Sequence, residues 1–241
     1  MTIGIVLPLE DGVLLVADGR ETYPHDPARS PTDNSNKIER ITPTVGAISF
    51  GLVQATENAV ITLRQSLTAS PIYTPQQVHQ NVLSSVRFGW NFLFAERWKD
   101  AGEKRYDPTS RAALIVGGLA SGVPFASALL IYADRMTGGN TEDLALVLNP
   151  YIPVILCDEG ERARDDFQAR ISQMRAMYGT NPGDGLKNRI VMSLLDAASA
   201  TISMIAARDV TKSVGGTNHY ALIRRWHPYT IGHQIGVRAW T

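Results

Sequence analysis

The sequence predicts a single α+β domain in which two mainly antiparallel sheets are covered by helices on their outer sides. Three observations lead to this prediction. Strand-like segments open the chain, recur in its middle and close it; amphipathic helices lie between them; and the first hairpin is almost continuously apolar. The 241 residues suffice for one domain with a sizeable core, and no internal repeat or linker divides them.

The first predicted element is a hairpin formed by the aliphatic segments Thr2–Leu9 and Val13–Asp18. A three-residue loop, Glu10–Gly12, would end on a left-handed glycine and pair Leu9 with Val13. That register puts Thr2 and Asp18 on one face of the sheet, because side chains alternate with period two. A two-residue loop would put them on opposite faces, and the sequence alone leaves this choice open.

The remaining elements follow from hydrophobic period and from turn residues. A polar, proline-rich loop at 23–36 leads to Lys37 and is expected near the mouth of any site at that end. The second helix is expected to begin with Thr74 as its cap and Pro75 at its first position. In chain order we predict strands after Lys37 and at 45–50, helices at 54–68 and 74–98, strands at 112–119, 124–134 and 151–157, helices at 161–178 and 186–207, and strands at 218–225 and 231–240.

Composition argues against several classes of site. Lysine plus arginine equals aspartate plus glutamate, so the zero net charge gives no electrostatic reason to expect nucleic acid or an anionic membrane as a partner. The histidines lack zinc-ligand spacing, the one cysteine, Cys157, is expected to be a small buried hydrophobe, and the glycine pairs lack the lysine of a phosphate loop. We therefore expect no metal and no cofactor. The absence of a signal-peptide pattern and of a bilayer-length apolar run makes the cytoplasm the expected location.

Four residues of the first 51 form a candidate catalytic set: Thr2, Asp18, Lys37 and Gly51. Removal of Met1 would expose on Thr2 a hydroxyl nucleophile together with an α-amine, whose ordinary pKa of roughly 7.7–8.0 suits a general base. A nearby Lys37 ammonium would favour loss of the amine proton, and Asp18 would hold that ammonium in place. The N–H of Gly51, at a strand-to-helix junction, is a candidate oxyanion donor. Taken singly, these residues are more often solvated charges and strand ends.

Together they carry a resemblance. The stretches 2–6 (TIGIV) and 11–22 (DGVLLVADGRET), the pairs Lys37-Ile38 and Phe50-Gly51, and the later LIVGG resemble the β subunits of the 20S proteasome and their bacterial relatives, which include the HslV-type and Anbu-type proteins. The interval from Thr2 to Asp18 matches, whereas the interval from Asp18 to Lys37 is longer because of extra residues within 24–36. The resemblance implies the N-terminal nucleophile hydrolase fold, a four-layer αββα sandwich.

The same resemblance implies roles for further residues. Arg20 becomes a supporting residue, and Thr22 falls where the family lines the substrate channel and pairs with the peptide main chain. Asp209 and Ser213, ahead of a Gly-Gly pair, support the nucleophile, although this chain has two additional residues before the glycines. Glu159 stands near the position of a serine that contacts the threonine amine. A carboxylate at that position would either pair with the ammonium form and raise its pKa, leaving less unprotonated amine to act as a base at neutral pH, or orient the amine differently.

The function implied is a threonine peptidase that hydrolyses peptide bonds through an acyl-enzyme ester on Thr2. The resemblance also implies peptide or unfolded protein as substrate, self-association into rings or helical arrays, and a possible ATPase or other regulator. Two alternatives remain open. One is a non-proteolytic amidase or ligase, and the other is a catalytically inactive, self-assembling shell subunit, which Glu159 and a retained Met1 would favour.

Overall fold

The computed structural model describes residues 3–21, 30–70, 72–93, 110–133, 140–157, 159–179, 184–209, 214–225, 230–235 and 237–238. These residues form eleven strands and four helices, which confirms the predicted α+β class. In chain order the elements are β1 (Gly4–Pro8), β2 (Gly12–Ala17), β3 (Ile38–Thr42), β4 (Val45–Gly51), α1 (Val53–Ala69), α2 (Pro75–Leu93), β5 (Arg111–Ala120), β6 (Val123–Tyr132), β7 (Asn140–Val147), β8 (Val154–Leu156), α3 (Gly160–Tyr178), α4 (Asp184–Arg208), β9 (Asn218–Arg224), β10 (Thr230–Ile235) and β11 (Val237–Arg238).

The strands form two sheets, as the sequence predicts. The six-stranded sheet has the order β11-β10-β9-β2-β1-β8, and the five-stranded sheet has the order β3-β4-β5-β6-β7. Every pairing between described strands is antiparallel. The amino-terminal hairpin lies inside the six-stranded sheet, where β1 pairs with β8 on one side and β2 pairs with β9 on the other.

Three apolar layers hold these elements together. The helices α1 and α2 pack on the five-stranded sheet, the helices α3 and α4 pack on the six-stranded sheet, and a third cluster fills the space between the sheets. Along β1, Ile5 and Leu7 belong to the helix-side cluster, while Val6 between them belongs to the inter-sheet cluster. Both faces of this strand are therefore buried, which explains why its sequence is apolar without interruption.

The register of the first hairpin differs from the predicted one. Pro8 pairs with Val13, and the Leu9 N–H donates to the Gly12 carbonyl at 2.8 Å, so the connection is a two-residue loop. The expected pairing of Leu9 with Val13 is wrong, and with it the argument that this register puts Thr2 and Asp18 on one face of the sheet. Thr2 itself lies outside the described residues. Gly12 is part of β2, where a Cβ would lie only 2.2 Å from the Ile223 carbonyl oxygen of β9. This glycine allows two strands to approach closely, and it does not close a left-handed turn.

The sequence predicted the start of α2 correctly but missed one strand. Thr74 and Gln77 form a reciprocal capping box at the start of α2, with Gln77 N–H donating to Thr74 Oγ1 at 3.3 Å and Thr74 N–H donating to Gln77 Oε1 at 2.8 Å. The expected continuation of this helix to Trp98 lies outside the described residues. Strand β7 was not predicted, because its first half, NTED, is polar; it forms an edge of the five-stranded sheet, where polar side chains are tolerated.

The expectation that no apolar run reaches bilayer length is wrong, because one segment, Asn188–Arg208 within α4, is long and apolar enough to cross a bilayer by length and composition. Its buried side chains include Leu194, Leu195 and Ile202, which belong to the cluster between α3, α4 and the six-stranded sheet. Packing in this core accounts for the apolar character of the segment.

Candidate active site

The candidate site lies where the ends of β1, β2 and β3 meet the segment that precedes β9. Asp18 follows the last residue of β2, and Lys37 precedes the first residue of β3. Since β2 and β3 belong to different sheets, the two charged side chains come together at the edge of the inter-sheet space. Lys37 Nζ donates to Asp18 Oδ1 at 3.0 Å and also to the carbonyl of Arg20. The structure therefore joins two of the predicted site residues in one ion pair.

The carboxylate of Asp18 is completely buried and accepts hydrogen bonds from several directions. Its Oδ1 accepts from the Ile3 N–H at 2.9 Å in addition to Lys37. Its Oδ2 accepts from the Gly215 N–H at 3.2 Å and from the Arg20 N–H at 3.3 Å. These contacts fix the orientation of the carboxylate. Ile3 directly follows Thr2, the predicted nucleophile, in the chain. The hydrogen bond from the Ile3 N–H therefore anchors the Asp18 carboxylate next to residue 2.

Burial dominates the electrostatics of the ion pair. Loss of hydration raises the pKa of Asp18 above its ordinary value, against the opposing effects of the Lys37 ammonium and the Ile3 and Gly215 N–H groups. Burial likewise lowers the pKa of Lys37, against the attraction of Asp18. The lysine side chain is 10% exposed, which leaves it close to the surface of the site. An ammonium with a lowered pKa releases its proton more readily than an ordinary lysine does.

Gly51, the predicted oxyanion donor, ends β4 with a φ of +87°. A Cβ at this position would lie 2.1 Å from the Arg111 carbonyl oxygen, so both the conformation and the space require glycine. Leu52 N–H donates to that carbonyl at 2.9 Å, and hydrogen bonds to one neighbouring strand alternate along an antiparallel pair. Two residues before Gly51 in β4, the Ser49 N–H approaches the Lys37 carbonyl at 3.4 Å, so the end of β4 that carries Gly51 lies beside the start of β3.

The side chain of Arg20 is held by Asp33, a residue to which the sequence assigned no role. The pair is bidentate, with Arg20 Nε 2.6 Å from Asp33 Oδ1 and Nη2 3.0 Å from Oδ2. Asp33 belongs to the polar loop at 23–36, and the described part of that loop lies against the site as predicted. Ser35 N–H donates to the Gly19 carbonyl at 2.8 Å, and Glu21 and Thr32 exchange backbone hydrogen bonds of 2.9 and 3.1 Å.

The segment 214–217 closes the site on the side of β9. Gly215 donates its N–H to Asp18 and accepts from the Gly19 N–H at 3.1 Å. The φ angles of Gly215 and Gly216 are +138° and +76°, which explains the glycine pair. Asp209, a predicted supporting residue, accepts from the Val214 N–H at 2.7 Å and thereby holds the beginning of this segment. The glycine pair is visible in the sequence as a signal for this segment. Nothing in the sequence indicates that the Gly215 N–H donates to Asp18.

Glu159 lies at the start of α3, and its carboxylate pairs with Arg162 at 3.4 Å. Strand β8 pairs with β1 as far as Leu156 opposite Gly4, so the turn that carries Glu159 follows at the amino-terminal end of β1. The contact with the Thr2 amine that the resemblance implies for this position lies outside the described residues. The described ion-pair partner of Glu159 is an arginine of its own helix.

Three of the predicted site residues, Thr2, Thr22 and Ser213, lie outside the described residues, so their assignments stay predictions. The described residues bring together Asp18, Lys37 and Arg20, and the end of β4 that carries Gly51 lies beside the start of β3. Asp209 joins them indirectly through the segment 214–217. Within the described part of the chain, no group of three or more histidine, cysteine, aspartate or glutamate side chains is arranged to hold a metal ion.

The described residues supply a buried carboxylate-ammonium pair that is anchored to the backbone next to residue 2. An ammonium held in this way favours the neutral form of a nearby amine. No model of a known protein family matches the chain, and no curated protein is significantly similar to it.

Proposed function

We propose that this protein is a proteasome-like threonine hydrolase with the four-layer αββα fold of the N-terminal nucleophile hydrolases. The observation that carries the proposal is the buried Asp18–Lys37 pair, whose carboxylate also accepts the Ile3 N–H. An ion pair is costly to bury, so its presence beside the amino terminus suggests a use for it. The two-sheet architecture and the resemblance of the amino-terminal segments support the same proposal.

In the proposed reaction, removal of Met1 frees the α-amine of Thr2. The amine takes the proton of the Thr2 hydroxyl as Oγ attacks a peptide carbonyl, and the Gly51 N–H stabilises the oxyanion. The proton then passes to the leaving amine of the peptide, which gives an ester on Thr2. Water, deprotonated by the same α-amine, hydrolyses the ester and releases the acid. Lys37 favours the neutral form of the α-amine by its charge, and Asp18 fixes the position of Lys37.

The proposal includes peptide or unfolded protein as the substrate class and the cytoplasm as the location. It also includes self-association into rings or helical arrays that enclose the sites, and a possible ATPase or other regulator. Native mass spectrometry of the purified protein tests the assembly, since a monomer at all concentrations would contradict it.

The decisive experiment measures the intact mass of the protein, purified from its natural host, before and after incubation with a threonine-directed epoxyketone. We expect a mass lower by one methionine and a single adduct that is absent from Thr2→Ala. Retained Met1 and no adduct would overturn the proposal and leave the inactive shell subunit. A labelled protein that cleaves small amides but no peptide in a substrate panel would instead favour the amidase.

A further inference from the structure

Two cations and several carboxylates share the small volume of the candidate site, and the structure pairs them selectively. Lys37 is bound to Asp18, whereas Arg20 is bound to Asp33. The Arg20 guanidinium nevertheless lies against Gly215, where a Cβ would be 3.6 Å from Arg20 Cζ, and the Gly215 N–H donates to Asp18. The Arg20 backbone N–H already donates to Asp18 Oδ2, so these two residues are adjacent in space as well as in the chain. The Arg20 side chain therefore lies close to Asp18, yet the carboxylate that it binds in bidentate geometry is that of Asp33.

The position of Asp33 is fixed independently of its side chain. Its carbonyl accepts the Thr217 N–H at 2.7 Å. A Cβ on Gly216 would lie 2.5 Å from the same carbonyl oxygen, and a Cβ on Gly19 would lie 3.0 Å from it. The backbone of Asp33 is thus packed between the segment that follows Asp18 and the segment that precedes β9. A carboxylate carried by this backbone is presented to Arg20 without a large cost of ordering.

The bidentate geometry gives the pair directional specificity. A guanidinium held through Nε and Nη2 has a fixed plane and cannot turn toward another carboxylate without breaking both bonds. The Asp33 side chain is 57% exposed and the Arg20 side chain 25% exposed. Pairs with this exposure contribute little to stability. The Arg20–Asp33 pair matters because it fixes the direction of the Arg20 guanidinium.

We propose that Asp33 is a positioning residue: by holding the Arg20 guanidinium, it keeps that cation from pairing with Asp18 and reserves the Asp18 carboxylate for Lys37. This inference rests on the proposed threonine hydrolase. Without the Asp33 charge, the Arg20 guanidinium turns toward Asp18, which the Arg20 N–H already contacts, and competes with Lys37. The ammonium beside the reacting amine is then displaced, and the chemical step slows while binding of the electrophile does not change.

The test is the rate of covalent labelling by the epoxyketone, measured from intact mass and resolved into kinact and KI. For Asp33→Asn we expect kinact to fall about tenfold or more with KI unchanged, since small displacements of catalytic groups have effects of this order. Asp33→Glu should recover most of the rate, because it restores the charge. A matched control is Glu39→Gln, which removes an exposed ion pair between β3 and α1, with 3.3 Å between Glu39 and Arg64. This variant should be labelled at the wild-type rate.

A double-mutant cycle shows whether the effect passes through Arg20. In the Arg20→Gln background, Asp33→Asn should cause no further loss, because the side chain that Asp33 holds is gone. The inference is overturned if Asp33→Asn leaves kinact unchanged, or if it lowers kinact as much in the Arg20→Gln background as in the wild type. Labelling of the wild-type protein would still support the proposed function in either case. A wild-type protein that is not labelled overturns the proposed function and this inference with it. Melting temperatures of all variants should stay close to the wild-type value, and a folding defect confined to Asp33→Asn would also overturn the inference.

Discussion

At the scale of single residues, the geometry around Asp18 depends on donors that come from distant parts of the chain. The Ile3 and Gly215 N–H groups and the Lys37 ammonium converge on one carboxylate that has no contact with solvent. A buried charge with several donors is tolerated, whereas a buried charge that loses its counter-ion is costly. This difference leads to a stability prediction for the pair.

Replacement of Lys37 by methionine removes the cation and leaves the buried carboxylate with N–H donors alone. We expect the free energy of unfolding to fall by about 3 kcal/mol, the low end of the range for breaking a buried ion pair. Urea unfolding followed by circular dichroism measures it. The double variant Asp18→Asn/Lys37→Met should lose less than the sum of the two single variants, because it leaves no unpaired charge. Strict additivity would contradict a coupled pair.

Gly51→Ala combines a structural and a chemical prediction. The left-handed φ of +87° and the 2.1 Å approach of the Arg111 carbonyl leave no room for a methyl group. We expect a loss of about 1–3 kcal/mol in stability from backbone strain. Displacement of the N–H should also reduce epoxyketone labelling by about 10²-fold, a typical loss for one oxyanion donor. Labelling at the wild-type rate in a folded variant would remove Gly51 from the mechanism.

At the scale of the elements, α3 and α4 are joined by a polar contact within their apolar interface. Asp166 of α3 accepts from the buried hydroxyl of Thr201 on α4 at 2.7 Å and from Arg170 Nε at 2.7 Å. The hydrogen bond from Arg170, followed by that from Thr201, holds the pKa of Asp166 below its ordinary value of 3.8. The carboxylate is therefore more readily ionised in the folded protein than in the unfolded chain.

This lowered pKa predicts a pH dependence of stability. The stabilisation is fully present above pH 3.8, the ordinary pKa, and is lost as the pH falls through the lower folded value. Near neutral pH, Asp166→Asn should be less stable than the wild type by about 1 kcal/mol, the usual net value of a hydrogen bond. The difference should shrink in acid. Urea unfolding near neutral pH and in acid tests this. The control is Asp165→Asn, which removes an exposed carboxylate on the same helix. A pH-independent difference would exclude the charge as its cause.

At the scale of the whole molecule, the distance between the two sheets is set by residues without side chains. A Cβ on Gly117 of β5 would lie 2.4 Å from Val6 Cγ1 of β1 and 2.9 Å from Val13 Cγ1 of β2. These valines belong to the cluster between the sheets. Since protein interiors are close-packed, one additional methyl group has to move strands that also hold the candidate site.

Gly117→Ala should therefore destabilise the protein by about 1–3 kcal/mol, the usual cost of overpacking a core. Thermal or urea unfolding measures this loss. Val6→Ala in the same chain should relieve part of it by freeing the space that the new methyl group needs. Gly160→Ala at the start of α3 is the matched control, because a Cβ there meets no atom within 4 Å and the backbone is not left-handed. Equal losses of stability in Gly117→Ala and Gly160→Ala would show that Gly117 has no particular packing role.

Local sequence patterns were sufficient to predict most of the elements and to select the candidate residues near the amino terminus. The uninterrupted apolar hairpin predicted strands buried on both faces, and Thr74 with Pro75 predicted the start of α2, because periodicity and capping are local properties. Asp18, Lys37 and Gly51 were selected in the same way, by residue type and position. The assignments of Thr2, Thr22 and Ser213 still await a test.

How these parts meet depends on contacts between distant segments of the chain. The hairpin register depended on the approach of β9 to Gly12, a contact between residues more than two hundred positions apart. The donation from Gly215 to Asp18 and the pairing of Arg20 with Asp33 likewise join segments that carry no local signal for one another. Sequence patterns describe what one segment buries or exposes, whereas a carboxylate chooses its partners by distance and direction, which exist only after the two sheets have packed.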